Sequence, residues 1–258
     1  MRDFYEHFYR VVQQSPVHAA FCTQSFGMNL CQHGFADLAQ LQALLTQSQL
    51  SPGKRLLDLG CGNGRIAEYI SDQTGAQVTG LDYIPEAIRQ AQARTAVKRE
   101  RLTFAVGDIN ALDLPTATFD AIISIDTIYF SNDYPATISQ LARALRPGGQ
   151  LFFFYSYGWE PGMAVGGFPS ETLQPDQTPL ASALQANRLC FTTQDFTAED
   201  CRMAQQRKAI LEKLKPQFEA EGIQFIYANR MGECHGIRQG CELGWHRRYL
   251  YQCHLVPQ

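Results

Sequence analysis

The sequence lacks a basic surplus: 22 Lys and Arg stand against 25 Asp and Glu, a formal net charge of −3. Proteins that neutralise nucleic-acid phosphates carry the opposite balance, so no nucleic-acid partner is expected. Long apolar runs are also missing. No stretch approaches the roughly 18 residues of a membrane span, and the opening MRDFYEHFYR puts charges where a signal peptide needs an apolar core. The expectations are no membrane partner and a cytoplasmic location. Closely spaced cysteine pairs are absent too. The eight cysteines, at 22, 31, 61, 190, 201, 234, 241 and 253, are scattered through a chain too long to need staples, and they read as free thiols. Cys234, His235, Cys241 and His246 come nearest to a cluster, but their spacing matches no pattern in which two close pairs clasp zinc, and no metal is expected.

What is present is an ordinary globular composition, 45% hydrophobic and 18% charged, far from the signature of disorder. Its 258 residues suit one domain with insertions. Residues 1–53 read as a helical cap, with Phe4, Phe8 and Val11 on one face, then Leu38, Leu41 and Leu45 on another, around a loop-like stretch over 21–35. From Lys54 the pattern becomes alternating. Strands are predicted at 54–59, 77–81, 102–106, 119–125 and 149–155, with helices near 64–73, 85–98 and 134–146. Such alternation means a doubly wound α/β fold with parallel strands and crossover helices. Residues 156–195, rich in Gly, Pro and aromatics, show no clear period and read as a long functional loop. TAED, Thr197 to Asp200, looks like a capping box opening a helix to about Glu221, and final strands are predicted at 223–228 and 248–255.

The strongest motif is DLGCGNG, Asp58 to Gly64, where a buried strand turns into a helix. Glycines permit the tight turn and close approach of a ligand, and the helix start offers unpaired amides to an anion. The spacing is G-x-G-x-G; a dinucleotide fingerprint would place its third glycine at 65, where this chain has Arg65. With its leading acid, the motif resembles that of class I S-adenosylmethionine-dependent methyltransferases, and the resemblance extends over about 54–155.

That resemblance implies a Rossmann-like methyltransferase fold with a mostly parallel seven-stranded sheet over 54–258. It implies S-adenosyl-L-methionine as cofactor and S-adenosyl-L-homocysteine as product, with Asp58, Gly60, Cys61, Gly62 and Gly64 at the amino-acid end. Asp82, 18 residues beyond Gly64, then accepts from both ribose hydroxyls, the separation suiting one crossover helix. Tyr83 lies beside the adenine, Asp108 accepts from its amino group, and Ile109 contributes a backbone amide. Asp82 also fits an acidic helix cap, and Asp108 an ordinary turn.

Transfer from a sulfonium is an in-line displacement, in which alignment contributes on the order of 7–11 kcal/mol. The resemblance implies that the end of the fourth strand, Asp126 to Phe130, faces the methyl group. Asp126 is a candidate proton acceptor or a holder of the cofactor's ammonium, and Tyr129 a hydrogen-bonding wall. His33, between Gln32 and Gly34, is a third candidate, because N-terminal segments cover the cofactor in many small-molecule relatives. Trp159 and Phe168 are candidate pocket walls within a 156–195 acceptor-site insertion. DNA amino-methylating relatives carry two prolines after a polar residue at this strand end; DTIY stands here instead, which disfavours a base as acceptor. The expected activity is methyl transfer to N or O of a small molecule. C-methyl, cyclopropane-forming and protein-modifying relatives share the cofactor site, and a cofactor-binding protein without turnover is a further alternative.

Overall fold

In the computed structural model, which describes residues 2–158, 163 and 169–256, three helices precede the sheet: α1 (Arg2–Val12), α2 (Pro16–Phe26) and α3 (Leu38–Ser48). Ser15 caps α2 by accepting from the His18 amide, with Pro16 in the first turn, and Asp37 caps α3 by accepting from Gln40. The alternating part follows as β1 (Arg55–Leu59), α4 (Arg65–Thr74), β2 (Gln77–Asp82), α5 (Pro85–Arg94), β3 (Leu102–Val106), β4 (Phe119–Ile125), α6 (Tyr134–Ala144) and β5 (Leu145–Gly158). The remaining elements are α7 (Pro179–Ala186), β6 (Leu189–Asp195), α8 (Thr197–Ala220), α9 (Gln224–Glu242) and β7 (His246–Leu255).

The strands form one sheet in the order β3-β2-β1-β4-β5-β7-β6. The first five run parallel, while β7 lies antiparallel between β5 and β6. This is the doubly wound, mostly parallel sheet expected. The order reverses between β1 and β4, so the carboxyl ends of β1, β2 and β4 open on a common crevice, the usual ligand position in such sheets. One core lies on each face of the sheet: Leu57, Ile122 and Leu151 point into one, and Leu56, Ile123 and Phe152 into the other. Side chains buried this fully typically contribute 2–5 kcal/mol each against truncation to Ala. No helix among the described residues is long and apolar enough to cross a membrane.

Five expectations need correction. Residues 21–26, read as the start of a loop-like stretch, complete α2 (Pro16–Phe26). The stretch at 223–228 is not a strand but the start of α9, which follows Gly222 at φ 70°. Ile226, Arg230 and Cys234 are buried at four-residue spacing, so a helical face wins over a short apolar run. The sixth strand is instead β6, inside the segment read as loop: residues 156–195 contain the end of β5, α7 and β6. Thr178 caps α7, and Leu180 and Leu184 are fully buried in a main core. Thr197 does not cap α8; its hydroxyl accepts from the Arg248 amide, and Asp200 is buried. Lastly, the cysteines are not all free, since Cys201 of α8 and Cys241 of α9 form a disulfide. No metal-holding group of His, Cys, Asp or Glu occurs among the described residues.

Candidate functional site

A cavity of about 540 Å³ opens at the carboxyl ends of β1, β2 and β4. Its floor is the turn from β1 to α4. The Gly60 and Cys61 amides both donate to the Leu81 carbonyl, at 2.7 and 3.0 Å, which ties the turn to the end of β2. Gly62 has φ 54°, and a Cβ there would lie 2.5 Å from the Tyr9 hydroxyl of α1. Only glycine meets both demands.

Acids stand at three strand ends. Asp58 is buried, its Oδ2 has no hydrogen-bond partner, and burial together with nearby Asp82 pushes its carboxyl up to about 7. Asp82 accepts from the Gly62 amide at 2.8 Å and the Ile84 amide at 2.9 Å. Burial raises its pKa and these two amides oppose the rise. Asp108 accepts from the Asn110 amide at 2.8 Å, so it does make a turn of its own. Asn110 then bonds the Phe130 carbonyl at 2.9 Å, joining that turn to the loop after β4. Cys61, Gly60, Gly62 and Ile109 also line the cavity, as does the half-exposed Tyr83, whose ring has the Arg2 guanidinium 5.0 Å above it. Gly64 does not line it; it caps α4 with φ 72°.

The far side belongs to the loop after β4 and to the N-terminal segment. Asp126 has φ 54°, a strained conformation for a side-chain-bearing residue. Its carboxylate accepts two bonds from Arg248, at 2.6 and 3.1 Å, and one from the Phe35 amide at 2.7 Å. A Cβ on Gly34 would lie 2.7 Å from Asp126 Oδ2, so glycine is needed there too. The Tyr129 hydroxyl accepts from the Ser156 amide and donates to Asp126 at 3.4 Å. Burial, reinforced by Asp126, raises its pKa well above the ordinary value. His33 lies within an aromatic group, its ring centre 4.9 Å from Tyr5 and 5.0 Å from Phe8. Burial, and then Arg230, holds it neutral, with a pKa well below the ordinary value.

Known proteins match this architecture. A methyltransferase domain family matches residues 57–153. An O-methyltransferase of Pyrenophora dematioidea is 34% identical over 110 residues, 42% of this chain and 41% of that protein. The 27-O-demethylrifamycin SV methyltransferase of Amycolatopsis mediterranei is 34% identical over 140 residues, 50% of this chain and 51% of its own length. The chain thus spans about half the length, or less, of these curated relatives. Among solved structures, Haemonchus contortus phosphoethanolamine N-methyltransferase 2 superposes with a TM-score of 0.76 at 21% identity, over 98% of this chain and 60% of that one. The [4+2]-cyclase SpnF has a TM-score of 0.70 at 18% identity, over 98% and 96%. Residues 57–153 thus match a methyltransferase domain, on the fold of S-adenosylmethionine-dependent methyltransferases.

The fold brings all the candidate residues except Gly64 to one cavity, His33 from the N-terminal segment, while Trp159 and Phe168 lie outside the described residues. No described residue of 156–195 lines the cavity; α1, residues 30–36 and Glu233 of α9 cover it instead. Sequence reasoning missed the cations that hold this cover. Arg230 is buried and donates to the carbonyls of Gln32 (2.6 Å) and His33 and to Glu233 (3.1 Å). Arg248, fully buried, joins Asp126 to Gln40 and Ser156. The signals were present: charge inside the apolar β7 run, and Arg230 and Glu233 at the i, i+3 spacing of a helix face.

Proposed function

We propose that this chain transfers a methyl group from S-adenosylmethionine to a nitrogen or oxygen of a small-molecule acceptor. The observation that carries this reading is the buried, unpartnered Asp58 Oδ2 beside a glycine turn too tight for side chains. A buried acceptor without a donor costs roughly 1–3 kcal/mol, and the ammonium of the cofactor's amino-acid end would relieve that cost. The Arg65 Nε, also buried without a partner at the start of α4, suits the carboxylate of the same end. Asp82 would receive the ribose hydroxyls on lone pairs its two amides leave open, and Asp108 with Ile109 would meet the adenine.

When bound, the cofactor supplies a methyl carbon on a positively charged sulfur, open to in-line displacement. The protein's task is then to orient the acceptor and exclude water. Asp126, already saturated by Arg248 and Phe35, acts here as a positioning residue that fixes residues 33–35 over the cavity. Tyr129 forms the wall below them, its raised pKa keeping the hydroxyl protonated. The cover formed by α1 and residues 30–36 supports a small acceptor, because the cavity is shared with the cofactor and walled on that side.

Calorimetric titration with S-adenosylhomocysteine and, separately, with NAD tests the cofactor reading: the first should bind and the second should not. Isotopically labelled S-adenosylmethionine incubated with the protein and a metabolite extract should then label a small molecule seen by mass spectrometry. Binding of NAD in preference to S-adenosylhomocysteine would overturn the proposal.

A further inference from the structure

Beyond the strand-end acids the cavity has a corner to which the reading above assigns no part of the cofactor. The Tyr5 ring stands nearly perpendicular to His33 (4.9 Å between centres, 70°) and to Phe130 (6.2 Å, 89°). Glu233 reaches the same cavity from α9. One of its oxygens is held from behind by Arg230 at 3.1 Å, and Arg230 does not line the cavity. The other oxygen faces His33 Nε2 at 3.7 Å, and that nitrogen has no hydrogen-bond partner. The neutral His33 brings no charge to the corner. The cations that do line the cavity are elsewhere: Arg2 lies over Tyr83, and Arg65 opens α4.

Aromatic rings that share a cavity with a carboxylate favour a positively charged nitrogen, because a ring quadrupole and the carboxylate can both attract it. A neutral hydroxyl can donate to the carboxylate but gains little from the rings and no ion-pair attraction. We propose that this corner receives the methyl acceptor as an amine, with Tyr5, His33 and Phe130 around the nitrogen and Glu233 accepting its proton. The proposal rests on the methyl-transfer reading above and names its acceptor class. The ammonium gives one proton to the Glu233 carboxylate. The freed lone pair then forms the N–C bond to the methyl of the sulfonium donor as the S–C bond breaks, its electron pair staying on sulfur. The product nitrogen carries the positive charge, and Glu233 returns its proton to water. Burial raises the Glu233 pKa against the pull of Arg230, and the cationic donor lowers that of a neighbouring ammonium, so both shifts favour the transfer.

The test is binding to the S-adenosylhomocysteine-saturated protein, read by calorimetry. Tetramethylammonium, a cation with no proton to give, should bind. Benzylammonium should bind at least about tenfold more tightly than benzyl alcohol, a matched pair differing only in the polar group. Glu233→Gln should weaken both cations at least about fivefold, with S-adenosylhomocysteine affinity unchanged. Phe130→Leu, at an exposed ring, should weaken tetramethylammonium similarly and guards against misfolding of the first variant. Equal or tighter binding of benzyl alcohol, or no cation binding to a complex that still holds S-adenosylhomocysteine, would overturn the amine corner alone. Failure of S-adenosylhomocysteine itself to bind would overturn the methyl-transfer reading first.

Discussion

Asp58 and Asp82 are neighbouring carboxyls with different tasks, and their surroundings separate them. Asp82 has two backbone donors to support its charge, whereas Asp58 keeps an oxygen unpaired and sits near neutrality. A ligand ammonium placed on Asp58 must lower its pKa, so binding at pH 7 should release about half a proton. Calorimetry of S-adenosylhomocysteine in buffers of different ionisation enthalpy should show that release, and Asp58→Asn should abolish it. Asp82→Ala removes two acceptor bonds to ribose, each worth roughly 1.5–3 kcal/mol before compensation, and frees the Gly62 amide. The expected result is at least about a tenfold loss of affinity; wild-type affinity in this variant would remove Asp82 from the site. All of these acids were legible in the sequence because each ends a strand beside a recognisable turn. Arg230 and Arg248 left weaker signals, because helical spacing and a charge within a strand do not tell whether a cation is buried until the groups that surround it are in place.

At the scale of elements, the regular alternation from β1 to β5 was readable because period and punctuation agree. The errors fell where they conflict. IQFIY, residues 223–227, offers a strand-like apolar run, yet Ile223 and Ile226 are buried at three-residue spacing, and helical packing against α8 decides. In β6, an edge strand, Leu189 is buried while Cys190 is exposed, a weak alternation inside a Gly- and Pro-rich stretch. The pair α8 and α9 is held by the Cys201–Cys241 disulfide, which closes a separation of 40 residues. A loop of that size is worth about 2–4 kcal/mol, so Cys201→Ser should lower unfolding free energy by that amount without reductant and make little difference with it. A thiol assay on the denatured protein should count 6 free thiols, rising to 8 on reduction. Eight without reductant would show the pair unbridged.

Across the whole molecule, α1 and α2 form with α8 and α9 a third apolar cluster in which charged groups are neutralised rather than solvated. Asp200 belongs to the same region: burial would raise it, but His246, Arg248 and Arg207 hold it down to about 2. His18 shows the opposite case, since burial and then Arg230 lower its pKa to about 3. The unfolded chain takes up a proton near pH 6.5 that the native chain refuses. The stabilisation from a neutral His18 is therefore complete above that value and is lost as pH falls toward 3. Denaturant unfolding at pH 7.5 and 5.5 should show wild type losing about 1.4 kcal/mol relative to His18→Gln. A constant difference between the two proteins would mean that His18 takes up its proton as readily in the native chain as in the unfolded one.

The sequence by itself determined the doubly wound core, the glycine turn and the acids at the strand ends, because these depend on local period, turn chemistry and one crossover length. Only the tertiary structure decided what covers the cavity. Tyr5, His33, Phe130 and Glu233 come from four separate segments, and the Arg230 and Arg248 contacts that fix this cover span 122 to 208 positions along the chain. Pairings at such separations depend on which faces are left to be buried once the sheet has formed. No local pattern of residues encodes that choice.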